Sequence, residues 1–202
     1  RDWSSDVCSS DLEGSVFRGT MRMTRAELQR AVVEVKSLII PEETTLLLTT
    51  FDGDWNKDEF AVPHRPALAT FEATLPTEVA DAEGFLRKSR RATTVTVHEV
   101  RDGEEPSIYE MGIPVVALSG GERWHINVHQ KVPLGVERDN VTPAYLQELR
   151  ALLANAMREH ISKSDAEQVW VTAAINDERV DAAALETVLD KRFGKRRATF
   201  DP

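Results

Sequence analysis

Apolar residues first recur at helical spacing at Leu28, Val32, Val35 and Ile39, with Ala31 and Leu38 widening the stripe. Thr24 and Glu27 ahead of it form a capping box, in which each side chain can serve the other's backbone N–H, and Pro41 stops the helix. The spacing predicts a helix near 24–39. Thr44–Phe51 is short, apolar and threonine-rich, which predicts a buried strand ending at the Asp52-Gly53 turn, and Asp52–Val62 reads as a solvated acidic loop. Strict alternation follows in Ala69, Phe71, Ala73 and Leu75, ended by Pro76 and a polar segment from Thr77 to Lys88. Thr93–Val100, Ser107–Leu118 and Arg123–Gln130 then read as three strands joined by turns at Asp102-Gly103 and Gly120-Gly121, an antiparallel meander. On the last strand Trp124, Ile126 and Val128 share one face, and His125, Asn127 and His129 the other.

The pattern returns to helical spacing after Thr142, an N-cap followed by Pro143 at the position where no N–H is needed. Leu149, Leu152, Leu153 and Ala156 form that helix's inward stripe towards His160. Ser164 with Glu167 predicts a second capped helix carrying Val169, Trp170, Ala173 and Ala174. A third is expected from about Ala182 to Phe193, with Leu185, Val188 and Leu189 inward and Gly194 ending it.

The first twelve residues change how the composition is read. RDWSSDVCSSDL matches one frame of a short-read sequencing adapter, in which GAC TGG AGT TCA GAC GTG TGC TCT TCC GAT encodes Asp2 to Asp11. Residues 1–12 are therefore expected to be a non-native tail, and the chain a piece of a longer protein. The net charge is −9; Arg1 against Asp2, Asp6 and Asp11 makes the tail −2 and the remainder −7. Cys8, the single cysteine, falls in the tail, so disulfides, zinc ribbons and thiol nucleophiles drop out of the reading. At 41% hydrophobic and 29% charged the chain can bury a core, and the acidic balance argues against nucleic-acid binding over the whole surface. No apolar run is long enough to span a bilayer and no signal-peptide pattern is present, so a cytoplasmic location is the default expectation.

Candidate chemistry is sparse. Asp52, Asp54, Asn56 and Asp58 alternate like a calcium loop, but Lys57 stands where glycine makes the sharp turn and Pro63 where the final glutamate belongs. His98, His125 and His129 could face one another across neighbouring strands as zinc ligands; solvent-facing polar positions on a sheet are the plainer account, and no metal site is assigned. Arg87, Lys88, Arg90 and Arg91 form one basic cluster and Lys191–Arg197 a second, with only Phe85 and Phe193 available for stacking on bases. Neither G-x-x-x-x-G-K-[ST], G-x-G-x-x-G nor G-x-S-x-G occurs.

One stretch goes further. Lys131-Val132-Pro133-Leu134-Gly135-Val136-Glu137-Arg138-Asp139 follows a strand and precedes a capped helix. It resembles the catalytic loop in the middle domain of the ninety-kilodalton heat-shock chaperones, where a Leu-Pro-Leu segment and an arginine lead from strand to helix. Tyr109-Glu110-Met111-Gly112-Ile113-Pro114-Val115 with the Arg138-Asp139 pair is similar to phage RIIA-like proteins and their bacterial ATP-binding relatives. All belong to the GHKL class of ATPases, and the similarity covers about Phe71 to Leu153. It implies a transducer-like region, packed beside an upstream nucleotide-binding domain, in which Arg138 is both the catalytic residue and the contact to the γ-phosphate. A planar, permanently charged guanidinium suits that task because it can donate to two phosphate oxygens at once. The other reading of Arg138 is a local ion pair with Glu137 or Asp139.

The class's asparagine helix for Mg²⁺, its Asp-x-Gly-x-Gly adenine segment and its glycine-rich lid are not in this sequence, and Gly135 stands where the chaperone loop usually carries a polar residue. ATP and Mg²⁺ are thus expected cofactors of the parent protein only, and the isolated chain is expected to be inactive and not to bind ATP measurably. A homodimer is a further partner implied by the class. The expected architecture is α+β: residues 13–161 as a mostly antiparallel sheet with packed helices, and 162–202 as a helical appendage. The competing functional reading is a non-catalytic interaction module, touching nucleic acid through Arg87–Arg91.

Overall fold

The computed structural model describes residues 16–51, 56–135, 137 and 139–196, and the chain divides into compact units at Lys36/Ser37. The first unit holds one helix, α1 (Arg25–Lys36). Its capping box forms as the sequence predicts: Thr24 N donates to Glu27 Oε2 at 2.6 Å, and Glu27 N to Thr24 Oγ1 at 3.3 Å. The helix is shorter than its apolar spacing suggests. Ile39 instead lies in the second unit, where its N–H donates to the carbonyl of Gly112 at 3.0 Å.

The second unit is an α+β fold. Its first strands, β1 (Leu47–Phe51) and β2 (Lys57–Ala61), pair antiparallel as a separate two-stranded sheet. This corrects two expectations. β1 is not buried, alternating exposed and half-buried residues, and part of the supposed acidic loop is its partner strand.

The principal sheet has the order β3-β4-β7-β5-β6, formed by β3 (Ala67–Ala80), β4 (Leu86–Glu99), β5 (Ser107–Glu110), β6 (Ile113–Ala117) and β7 (Trp124–Val128). Among the described residues only β5 and β7 run parallel. Pro76 does not end β3. It pairs with Arg90 on an edge strand, where its missing N–H faces away from the ladder and costs no bond.

The meander is overturned. Ser107–Leu118 is itself a hairpin, closed by Met111 at φ 48° and Gly112 at φ 87°, the left-handed pair of a two-residue turn. β7 then crosses over and inserts between β4 and β5. The central place goes to β7 because all five of its residues can be buried: three are apolar, and His125 and Asn127 find polar partners.

One face of this sheet carries Val95, Val97, Ile108, Ile126 and Val128 into the core. Against it lies α2 (Pro143–Ala156), started by Thr142, whose Oγ1 accepts from Tyr145 N at 3.3 Å. Tyr145, Leu149 and Leu153 are its buried apolar anchors. The predicted box at Ser164 and Glu167 is instead made by Ser162 and Asp165, opening α3 (Lys163–Ala166), and the chain breaks before α4 (Val169–Ala174). Trp170 of α4 meets Trp124 edge to face at 6.0 Å. The last helix, α5 (Ala182–Phe193), ends at Gly194 with φ 79°, as its sequence predicts. Ala166, Trp170, Val171, Ala174 and Val188 from these helices belong to the same hydrophobic cluster as the sheet. Among the described residues no helix is long and apolar enough to cross a membrane.

Candidate functional site

β7 leads into the segment that begins at Lys131, and the root of that segment is fastened on several sides. His129 N donates to Thr94 O at 3.0 Å, and Gln130 Nε2 to Leu75 O at 3.2 Å. Thr77 Oγ1 donates to Lys131 O at 2.8 Å, and Val132 N to the Glu110 carboxylate at 2.7 Å. Lys131 Nζ stands 3.0 Å from Glu78. The far end is closed by a bridge between Leu134 and Val141, with Gly135 N donating to Asn140 O at 2.7 Å. Val132 and Val141 are buried at the base, while Glu137 and Asp139 are exposed at the tip. Arg138 and Val136 lie outside the described residues. Both ends of the loop are therefore anchored before α2 begins at Pro143.

A polar network occupies the other face of the sheet. His98 and His125 are cross-strand partners, as are Thr96 and Asn127. The two histidines are buried, at 4% and 1% exposure, not solvent-facing as expected; His129 alone of the three is exposed. His98 Nδ1 faces two carbonyls, of Arg65 at 3.0 Å and Pro66 at 3.1 Å, so this nitrogen carries the proton. Its Nε2 then accepts from Thr96 Oγ1 at 2.9 Å. Asn127 Nδ2 donates to Thr96 Oγ1 at 3.2 Å and to His129 Nε2 at 3.0 Å, while its Oδ1 accepts from Gly112 N at 2.8 Å. With a neutral His98 ring, the bonds from the Arg65 and Pro66 carbonyls through Thr96 to Asn127 each have one donor and one acceptor.

His125 Nε2 lies 3.1 Å from Glu104 Oε2, and its Nδ1 has no partner among the described residues. A second proton on Nδ1 would be buried without an acceptor, so this ring is neutral too. Burial holds the pKa of both His98 and His125 below the ordinary histidine value. Tyr109 packs edge-on against His125 at 5.0 Å and donates its hydroxyl to Ser37 O at 3.1 Å.

Arg65, only 2% exposed in its side chain, forks onto Glu104 at 2.7 and 2.6 Å and reaches Glu99 O at 2.9 Å. Burial raises the Glu104 pKa, but Arg65, the Arg101 N–H and His125 outweigh it and bring it down to about 2. Neither Arg65 nor Glu104 stands out in the sequence: 34 residues separate Arg65 from its carbonyl partner on Glu99, and it is the pairing of β3 with β4, Ala67 opposite His98, that draws the two together.

The remaining candidates disperse. Among the described residues no three His, Cys, Asp or Glu side chains are grouped to hold a metal ion. Asp52 and Asp54 of the calcium-like pattern lie outside the described residues, and Asp58 is on β2. In the basic cluster, Arg87 is held by Asp81 at 2.8 Å, and Arg90 by buried Glu148 at 2.5 Å. Lys88 and Arg91 are exposed without an ion pair among the described residues. Glu148 also takes Arg179, which forks onto Asp177 and brings that carboxyl down to about 2. In the second basic cluster Arg192 is tied to the Ala166 carbonyl and to Thr172 Oγ1, and Arg197 lies outside the described residues. No family model, curated protein or solved structure matches the chain.

Proposed function

We propose that the chain is the transducer-like part of a GHKL-type ATP-binding protein, with Arg138 as the residue that meets the γ-phosphate. The observation that supports this reading is the anchored loop between β7 and α2: a short segment clamped at Val132 and at the Leu134–Val141 bridge, with exposed neighbours on either side of Arg138. A loop held at both ends loses less conformational freedom on contact than a free one. The Arg138 guanidinium would donate to phosphoryl oxygens as charge builds on them, the work of an arginine finger. The adenine pocket and the Mg²⁺ ligands belong, on this reading, to an upstream domain of the same cytoplasmic protein, which couples nucleotide state to movement of this domain.

The test uses the full parent protein. Substituting Arg138→Ala is expected to lower ATP turnover by about 10³-fold or more, the scale of other arginine fingers. Unchanged turnover rejects the role. Unchanged turnover together with nucleic-acid binding lost on replacing Lys88 and Arg91 would establish the interaction-module reading instead.

A further inference from the structure

We propose that the open edge of β4 beyond the end of β7 is a binding site for a phosphate-type oxyanion, separate from whatever Arg138 contacts. A cavity of about 510 Å³ lies there, lined among others by Arg91, Ala92, His129, Lys131, Thr77 and Glu78. Three features make it an anion site.

The first is backbone geometry. β4 pairs with β7 from Glu99 back to Val95, and His129 N donates to Thr94 O as the last rung. The antiparallel alternation directs the N–H groups of Thr94, Thr96 and His98 toward β7. Ala92 is the next residue on that side. β7 has no residue paired with it, so by the same alternation its N–H is directed past the end of β7, and Ala92 lines the cavity.

The second is charge. Arg91 and Lys131 line the same cavity, and Glu78 is the one carboxylate of the lining. Arg91 has no ion pair among the described residues, whereas Arg87 and Arg90 on the same strand are held by Asp81 and Glu148. The pair of Lys131 with Glu78 leaves both side chains substantially exposed, at 39% and 26%, so it is weak and salt-screened. An incoming anion can take Lys131 from it.

The third is position. Thr77 Oγ1 is spent on Lys131 O and Gln130 on the carbonyls of Leu75 and Pro76, which fixes the backbone that carries Lys131. Arg91, Lys131 and Ala92 line one cavity, which offers two cations and one backbone amide, a set suited to a tetrahedral oxyanion.

The site is tested by titrating the ¹⁵N-labelled chain with inorganic phosphate at constant ionic strength and following amide shifts. Saturable shifts are expected at Arg91, Ala92 and Lys131, with a Kd on the order of 1 mM, as two charge-assisted hydrogen bonds on a wet surface allow. Arg91→Gln and Lys131→Gln should each weaken binding about fivefold or more, Glu78→Gln should tighten it, and Arg87→Gln should leave it unchanged. All four positions are on the surface, and the dispersion of each variant's spectrum checks its fold. A parallel titration with glycerol phosphate distinguishes a site for free phosphate from one that takes the phosphate end of a larger molecule. Non-saturating shifts spread over all basic residues, or an equal loss in Arg87→Gln, would overturn the proposal. Because the measurement needs neither ATP nor Arg138, its failure leaves the nucleotide reading where it was.

Discussion

Removing the Glu104 carboxylate is the most informative perturbation of the buried polar face. Arg65 is almost fully enclosed, and Glu104 is its one carboxylate partner among the described residues, so Glu104→Ala strands a guanidinium in the interior. Breaking a buried pair from one side costs about 3–5 kcal/mol. The titration route agrees: a carboxyl brought from 4.5 down to about 2 corresponds to roughly 3 kcal/mol of stability at neutral pH. Against a typical domain stability of about 5–15 kcal/mol, that is a large share. The assay is urea unfolding followed by tryptophan fluorescence, with Trp124 and Trp170 buried in the core as reporters. The double variant Arg65→Met/Glu104→Leu should lose far less than the two single variants together, because it removes the charge and its counter-charge at once.

The sign with pH follows from a depressed folded-state pKa. Glu104's contribution is complete above about 4.5 and is lost as pH falls toward about 2, so wild type and Glu104→Gln should converge across that window. A cost below about 1 kcal/mol for Glu104→Ala, or strictly additive single variants, would refute the assignment of this pair as a buried, coupled unit.

The neutral histidines make a related prediction: with their pKa values held below the ordinary histidine value by burial, His98 and His125 cost the fold stability as pH drops below about 6.5. The melting temperature should fall by a few degrees between pH 7.5 and 5.5, and a flat profile would contradict neutral rings. Imidazole ¹⁵N spectra at pH 7.5 should place the proton on Nδ1 of His98 and Nε2 of His125. Gly112→Ala should be among the most disruptive single-atom additions, since a Cβ there would stand 2.1 Å from Ile39 O at φ +87°; chemical denaturation should register a loss of about 2 kcal/mol or more. Leu153→Ala removes a fully buried side chain of α2, and an expected cost of about 2–5 kcal/mol can be read from the same urea midpoint.

Local signals were legible where a few neighbouring residues decide the outcome. The Thr24–Glu27 box, the Thr142-Pro143 start of α2 and the Gly194 end of α5 all stand where the residues put them. The signals failed where two choices were locally equal: Ser162 with Asp165 and Ser164 with Glu167 carry the same capping chemistry, and only docking of Trp170 and Asp165 into the core selects the first. Strand extent failed for a similar reason. The polar segment Thr77–Lys88 does not read as strand because propensity is a one-strand property, whereas β3 and β4 hold each other out to the Ala80–Leu86 pair.

The amino-acid sequence alone determined that this chain is α+β, which residues alternate on β7, and where the helices near 143 and 182 begin. Those properties depend on periodicity and on contacts a few residues apart. Strand order, the parallel β5–β7 pairing, the burial of His98 and His125 and the union of Arg65 with Glu104 were decided only by the tertiary structure. Each depends on which strand takes the centre of the sheet. That choice is made by the total of apolar burial and satisfied polar groups across elements, and no single stretch of the sequence carries that total.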